Sequence, residues 1–142
     1  MLTIWALVHA LTTGAENNSL TSENKIESII HEKLKKIDEN EYFRFFETTK
    51  SISLEDGLVI SKIDFRSSKD NKKNYIMIEG INGCLKLSDM EKKWGELPFP
   101  KPPSHPYPDA MAVRTFQLNG KEVNLGFKMS NMECLNSIWM DL

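Results

Sequence analysis

Cys84 and Cys134 are the residues of this 142-residue chain best suited to covalent chemistry, and its three histidines are the side chains that ordinarily titrate near neutrality. Nucleophilic catalysis would set one thiol beside a base, with His105 as the candidate partner. A cysteine held in a disulfide cannot play that part, and an even count of two suits a single bridge in an oxidising compartment. Such a bridge would close a loop of about 50 residues and contribute roughly 4 kcal/mol in the chain-entropy description. Two unpaired, buried thiols are the alternative. Zinc is not indicated, because two cysteines with the scattered His31 and His105 give no ligand spacing. The sequence holds no H-E-x-x-H, no G-x-S-x-G and no glycine-rich phosphate loop. Glu27 precedes His31 at the spacing of a routine helical surface pair. The chain therefore reads as a non-enzymatic protein without metal or cofactor.

Residues 98–108, P-F-P-K-P-P-S-H-P-Y-P, contain all six prolines. Such a segment is stiff and extended, and it cannot join the interior of a sheet. Phe99, His105 and Tyr107 project from it and are the candidate binding residues. Two readings stand side by side. In one, the segment is a pre-ordered recognition loop whose rigidity lowers the entropy lost on binding. In the other, it is a crossover linker from a helix to the next strand.

The elements that must position these residues begin with an unusual start. The first fifteen residues carry no Asp, Glu, Lys or Arg, residues 2–11 are almost wholly apolar, and Thr13 and Ala15 are small. This pattern reads as a secretory signal peptide (1–15) cleaved after Ala15, leaving a single domain at 16–142. The apolar run is about ten residues, against the roughly 20 that a membrane span needs, so no membrane anchor is expected. No Lys or Arg opens the run, and a buried first element of the fold is the competing reading. Asn17-Asn18-Ser19 matches a glycosylation sequon.

Ile26, Ile29, Ile30, Leu34 and Ile37 recur at helical spacing and predict a helix that Thr21 or Ser22 can cap. Strands are expected at 42–46, 58–65 and 75–79, with turns at Glu55-Asp56-Gly57 and in the charged loop 67–73. Val59, Ile63 and Phe65 share one face of the second. Ser88 and Glu91 form a capping box for a short helix with Leu87, Met90 and Trp94 on its inner face and Gly95 as its stop. Residues 112–118 and 122–129 flank Asn119-Gly120, a strong hairpin signal. Residues 134–140 supply a last strand, with Ile138 and Met140 on the Cys134 face and Leu135 and Trp139 opposite. The order suggests an α+β domain: an antiparallel sheet of about five or six strands with two helices on one face.

Charge narrows the partners. Eighteen Lys and Arg stand against 20 Asp and Glu, a net charge of -2, which gives no electrostatic case for nucleic acid. The same balance gives no case for an anionic membrane, and the expectation of a protein partner rests on the proline segment.

Gly83-Cys84-Leu85 leads into the short helix, a proline loop follows, and Glu133-Cys134-Leu135 opens the last strand, which runs Cys134-Leu-Asn-Ser-Ile-Trp139. With the signal-like start and one α+β domain, this format resembles the small periplasmic immunity proteins that protect bacteria from toxins of neighbouring cells, type VI secretion toxins among them. The resemblance covers the whole chain as a format and transfers no binding residue. It implies a periplasmic or secreted protein that occludes the active site of a toxin, often a cell-wall hydrolase. A structural or accessory module of a cell-envelope complex is the alternative, and an enzyme using Cys84 or Cys134 is a third reading.

Overall fold

The structure is a computed structural model that describes residues 2–105 and 107–142. Met1 of the apolar start and Pro106 of the proline segment lie outside the described residues. The elements are α1 (Ile4–Glu16), α2 (Glu23–Ile30), β1 (Leu34–Glu39), β2 (Phe43–Thr48), β3 (Ile52–Ser53), β4 (Val59–Ser68), β5 (Asn74–Asn82), α3 (Leu87–Trp94), β6 (Met111–Leu118), β7 (Lys121–Lys128) and β8 (Ser137–Asp141). The α+β class and the antiparallel pairing are as expected. The counts are not: among the described residues the sheet has eight strands rather than five or six, and the chain forms three helices rather than two.

The strand order is β1-β2-β4-β5-β8-β7-β6, with β3 paired to β4. Short turns join β1 to β2 and β4 to β5, while residues 49–58, which include β3, join β2 to β4. The chain then leaves the middle of the sheet through α3 and the proline segment, and re-enters at the far edge as β6. Two further hairpins bring β8 back beside β5. The β6–β7 turn is the expected one, with Asn119 at φ 51° and Gly120 at φ 75°.

The apolar start is α1. Thr3 caps it, its Oγ1 accepting from the Ala6 N–H at 3.0 Å. Ile4, Leu7, Val8 and Leu11 are wholly buried, in one core with Ile26 and Ile30 of α2, Met90 of α3, and Phe65, Ile78, Leu125 and Ile138 of the sheet. Both ends of α1 are tied to turns of the sheet. The Ile4 N–H donates to Asp56 Oδ2 at 3.1 Å. Asn119 Nδ2 donates to Thr12 Oγ1 at 3.0 Å and to Thr13 Oγ1 at 3.2 Å. Trp5 meets the edge of Trp94, which stacks on Phe116, with ring centres 5.0 and 4.9 Å apart.

Two expected elements differ. The helix predicted to reach Ile37 stops at Ile30, where His31 takes the left-handed conformation (φ 58°). Glu27 does not pair with His31: its Oε2 accepts from the Leu34 N–H at 2.7 Å and closes the turn into β1. Leu34 and Ile37 are therefore strand residues, Leu34 buried and Ile37 half exposed at an irregularity in the β1–β2 register. The Ser88 capping box does not form. Lys86, bridged to Cys134, is the cap residue of α3, and Glu91 accepts from the Leu97 N–H at 2.9 Å. Gly95 ends the helix as expected, at φ 88°. Leu135, expected opposite Ile138, is buried in the same core, because regular alternation begins only at Ser137.

A chain beginning at Glu16 lacks all six buried residues of α1: Ile4, Leu7, Val8, Leu11, Thr12 and Ala15. It is expected to lose cooperative unfolding, and Leu7→Ala in the full chain to cost about 2–5 kcal/mol. Urea titration followed by far-ultraviolet circular dichroism checks both. A sharp transition in the shortened chain would show that the sheet holds without α1.

Candidate functional site

Cys84 and Cys134 are joined by a disulfide, with Cα atoms 4.8 Å apart. Cys84 follows β5 and Cys134 precedes β8, so the bridge joins the ends of adjacent strands. Backbone bonds on either side continue that pairing: the Leu135 N–H donates to Leu85 O, and the Ile81 N–H to Asn136 O, each at 2.9 Å. With both sulfurs in the bridge, neither is a thiol nucleophile for His105.

The proline segment is anchored at three places. The Lys101 N–H donates to Val113 O at 2.7 Å and the Val113 N–H returns to Lys101 O at 3.0 Å, which covers the outer edge of β6 with one residue pair. Arg114 Nη1 donates to Pro98 O at 2.6 Å. Beyond Lys101, Tyr107 O accepts from the Ala110 N–H, and Pro108 O from the Ser130 N–H. The segment is thus a crossover that also displays side chains. Phe99 is 95% exposed, Tyr107 58%, and His105 is exposed.

The three candidate residues do not converge. Phe99 lines a groove of about 520 Å³ with Leu87, Glu91, Leu97 and Arg114, and neither His105 nor Tyr107 lines it. Lys101 separates Phe99 from the other two along the chain and is pinned to the sheet. Among the described residues, no group of three or more His, Cys, Asp or Glu is arranged to hold a metal ion. No described helix is long and apolar enough to cross a membrane.

A group of charged and aromatic side chains lies on the sheet face opposite the core. Strand alternation puts Lys62, Asp64 and Arg66 of β4 there, and register brings Glu47 and Glu79 alongside. Lys62 Nζ lies 3.5 Å from Glu47, 3.8 Å from Asp64 and 3.3 Å from Glu79. Burial, reinforced by the negative charge of Glu79 and Glu47, pushes the Asp64 carboxyl up to about 6 against the pull of Lys62. Arg66 sits over the rings of Phe45 and Tyr75, 5.3 and 5.5 Å from their centres. Met77 and Trp139 continue the row from Asp64 across β5 and β8. Gly126 accommodates this arrangement: a Cβ there would lie 2.7 Å from both Trp139 Cζ3 and Ser137 Oγ.

The alternation of Ile63 and Phe65 implies that Lys62 and Asp64 share the other face. Their partners come from strands 15 or more residues away, and only the register identifies them. No protein-family model matches the chain, and it has no match among curated proteins or solved structures.

Because the folded Asp64 pKa is raised, the native state holds its proton more tightly than the unfolded chain does. Asp64 therefore lowers stability as pH rises from about 4 through 6. Asp64→Asn is expected to raise stability at pH 7.5 by on the order of 1 kcal/mol, with no gain at pH 4. Urea midpoints at the two pH values check this, and an equal change at both would refute the charge argument.

Proposed function

We propose that the chain is a protein-binding inhibitor of the immunity type, acting outside the cytoplasm and blocking a toxin enzyme, with a cell-wall hydrolase as the favoured target class. The observation that carries this reading is Phe99, a large apolar ring 95% exposed on a segment stiffened by prolines and pinned at Pro98 and Lys101. Scattered exposed apolar residues are ordinary on protein surfaces. A ring held out on a rigid, anchored segment is different, because it loses little conformational freedom when a partner encloses it. Aromatic anchors of this kind commonly provide most of the energy of an interface. Tyr107 adds a second ring beyond Lys101, and His105 a polar group beside it.

The compartment rests on the disulfide. A bridge between the only two cysteines suits an oxidising space, periplasmic or secreted. The apolar start no longer carries that argument alone, since the same residues build α1.

The test takes a cell-wall hydrolase, if one is encoded beside this gene, into a hydrolysis assay on purified cell wall; the absence of any such neighbour would itself count against the reading. Wild-type protein is expected to inhibit at near-equal molar ratio. Phe99→Ala with Tyr107→Ala is expected to weaken inhibition by about 100-fold or more, with stability within about 0.5 kcal/mol of wild type. Full activity of that enzyme in the presence of excess wild-type protein would sink the inhibitor reading.

A further inference from the structure

The three helices bury their apolar sides in one core on one face of the sheet, and the opposite face leaves its large side chains only partly buried. A row on that face runs from Glu47 through Asp64, Met77 and Trp139 to Asn124, each residue in register with the next. Its acidic end is not neutralised. Three carboxylates share the single ammonium of Lys62, leaving a surplus of negative charge on a partly desolvated surface. The neighbouring cations do not remove it. Arg66 lies over two rings and makes no ion pair among the described residues, and Lys35, opposite Glu47 on the edge strand, is exposed and unpaired with it.

We propose that this open face is a docking surface for a basic segment of a protein partner, whose Arg or Lys side chain completes the Glu47–Asp64–Glu79 cluster while its apolar neighbours cover Met77 and Trp139. Charge complementarity selects the occupant. A second cation held between these carboxylates offsets their mutual repulsion, which adds to the burial of Asp64 in disfavouring its charge, and partial burial strengthens that attraction over a fully solvated pair. A small free cation would meet the carboxylates but leave the apolar row uncovered. A polypeptide with alternating basic and apolar residues meets both, since alternate side chains of an extended segment face the same way. This surface is separate from the proline segment and stands independently of the inhibitor reading.

The probe is a short, end-blocked peptide of alternating arginine and leucine, titrated into isotope-labelled full-length protein and followed by amide shifts. The glutamate–leucine counterpart serves as control. The arginine peptide is expected to move the amides of Lys62, Asp64, Met77, Glu79 and Trp139. Its affinity should fall about tenfold or more in Asp64→Asn with Glu79→Gln, and in wild-type protein as pH drops below 6. Phe99→Ala with Tyr107→Ala should bind it as wild type does, which separates this surface from the loop. Three results would overturn the proposal: equal binding of both peptides, shifts that miss these residues, or shifts on simple dilution, which would assign the face to a second copy of the chain.

Discussion

The packing of α1 against the sheet is the contact on which the remaining structure depends. Its buried side chains share one core with strands from both halves of the sheet, and its two ends are held by the turn before β4 and the turn between β6 and β7. Those turns belong to hairpins far apart in sequence. Their alignment relies on one helix reaching both, because among the described residues the two halves of the sheet pair only through β5 and β8. Thr12 lets a polar group sit inside this contact without penalty: its hydroxyl donates to Val8 O and accepts from Asn119.

The same constraint explains where the disulfide and the prolines stand. The crossover from β5 to β6 is the one long connection, and it must pass the positions of β7 and β8. The bridge closes the seam between β5 and β8, where the two halves meet, and limits how far they can separate when the core opens. The prolines then keep the crossover from pairing further along β6 than the single Lys101–Val113 bridge. At the other edge, β1 is guarded differently. It is highly charged, its register is interrupted at Ile37, and the Glu39 N–H is taken by Asp38 Oδ1 at 2.8 Å.

Features set by local chemistry were legible in the residues. Asn119-Gly120, Gly95 and the Glu55-Asp56-Gly57 turn lie where backbone geometry demands them, and the cysteine pair is joined. The helix read through Leu34 misled for a physical reason. Ile26, Ile30 and Leu34 all enter one core, but the turn at His31 reverses the chain, so the apolar period outlasts the helix. The capping box failed because Lys86 is pinned by the β5–β8 seam, which starts the helix one residue before Ser88. The apolar start was ambiguous in principle: ten residues that suit a signal sequence also suit a helix buried along one side. The Lys62 cluster was half legible, since alternation shows its β4 members and only pairing brings in Glu47 and Glu79.

Once the helices occupy one face of an antiparallel sheet, the other must remain compatible with water, and alternation supplies polar residues for that purpose. Solubility alone would be served by long, freely hydrated charges. Here the charges are crowded around one ammonium, with Asp64 partly desolvated, and rings lie beside them with a glycine clearing space for Trp139. Each of those choices costs stability in the isolated chain: crowded carboxylates repel, and rings left partly exposed forgo full burial. Such costs at adjacent positions are the physical ground for the proposal that another molecule completes the contacts of this face. The proline segment follows the same logic at the edge of the sheet, where Phe99 is fixed outward by bonds that would have served as well without a ring there.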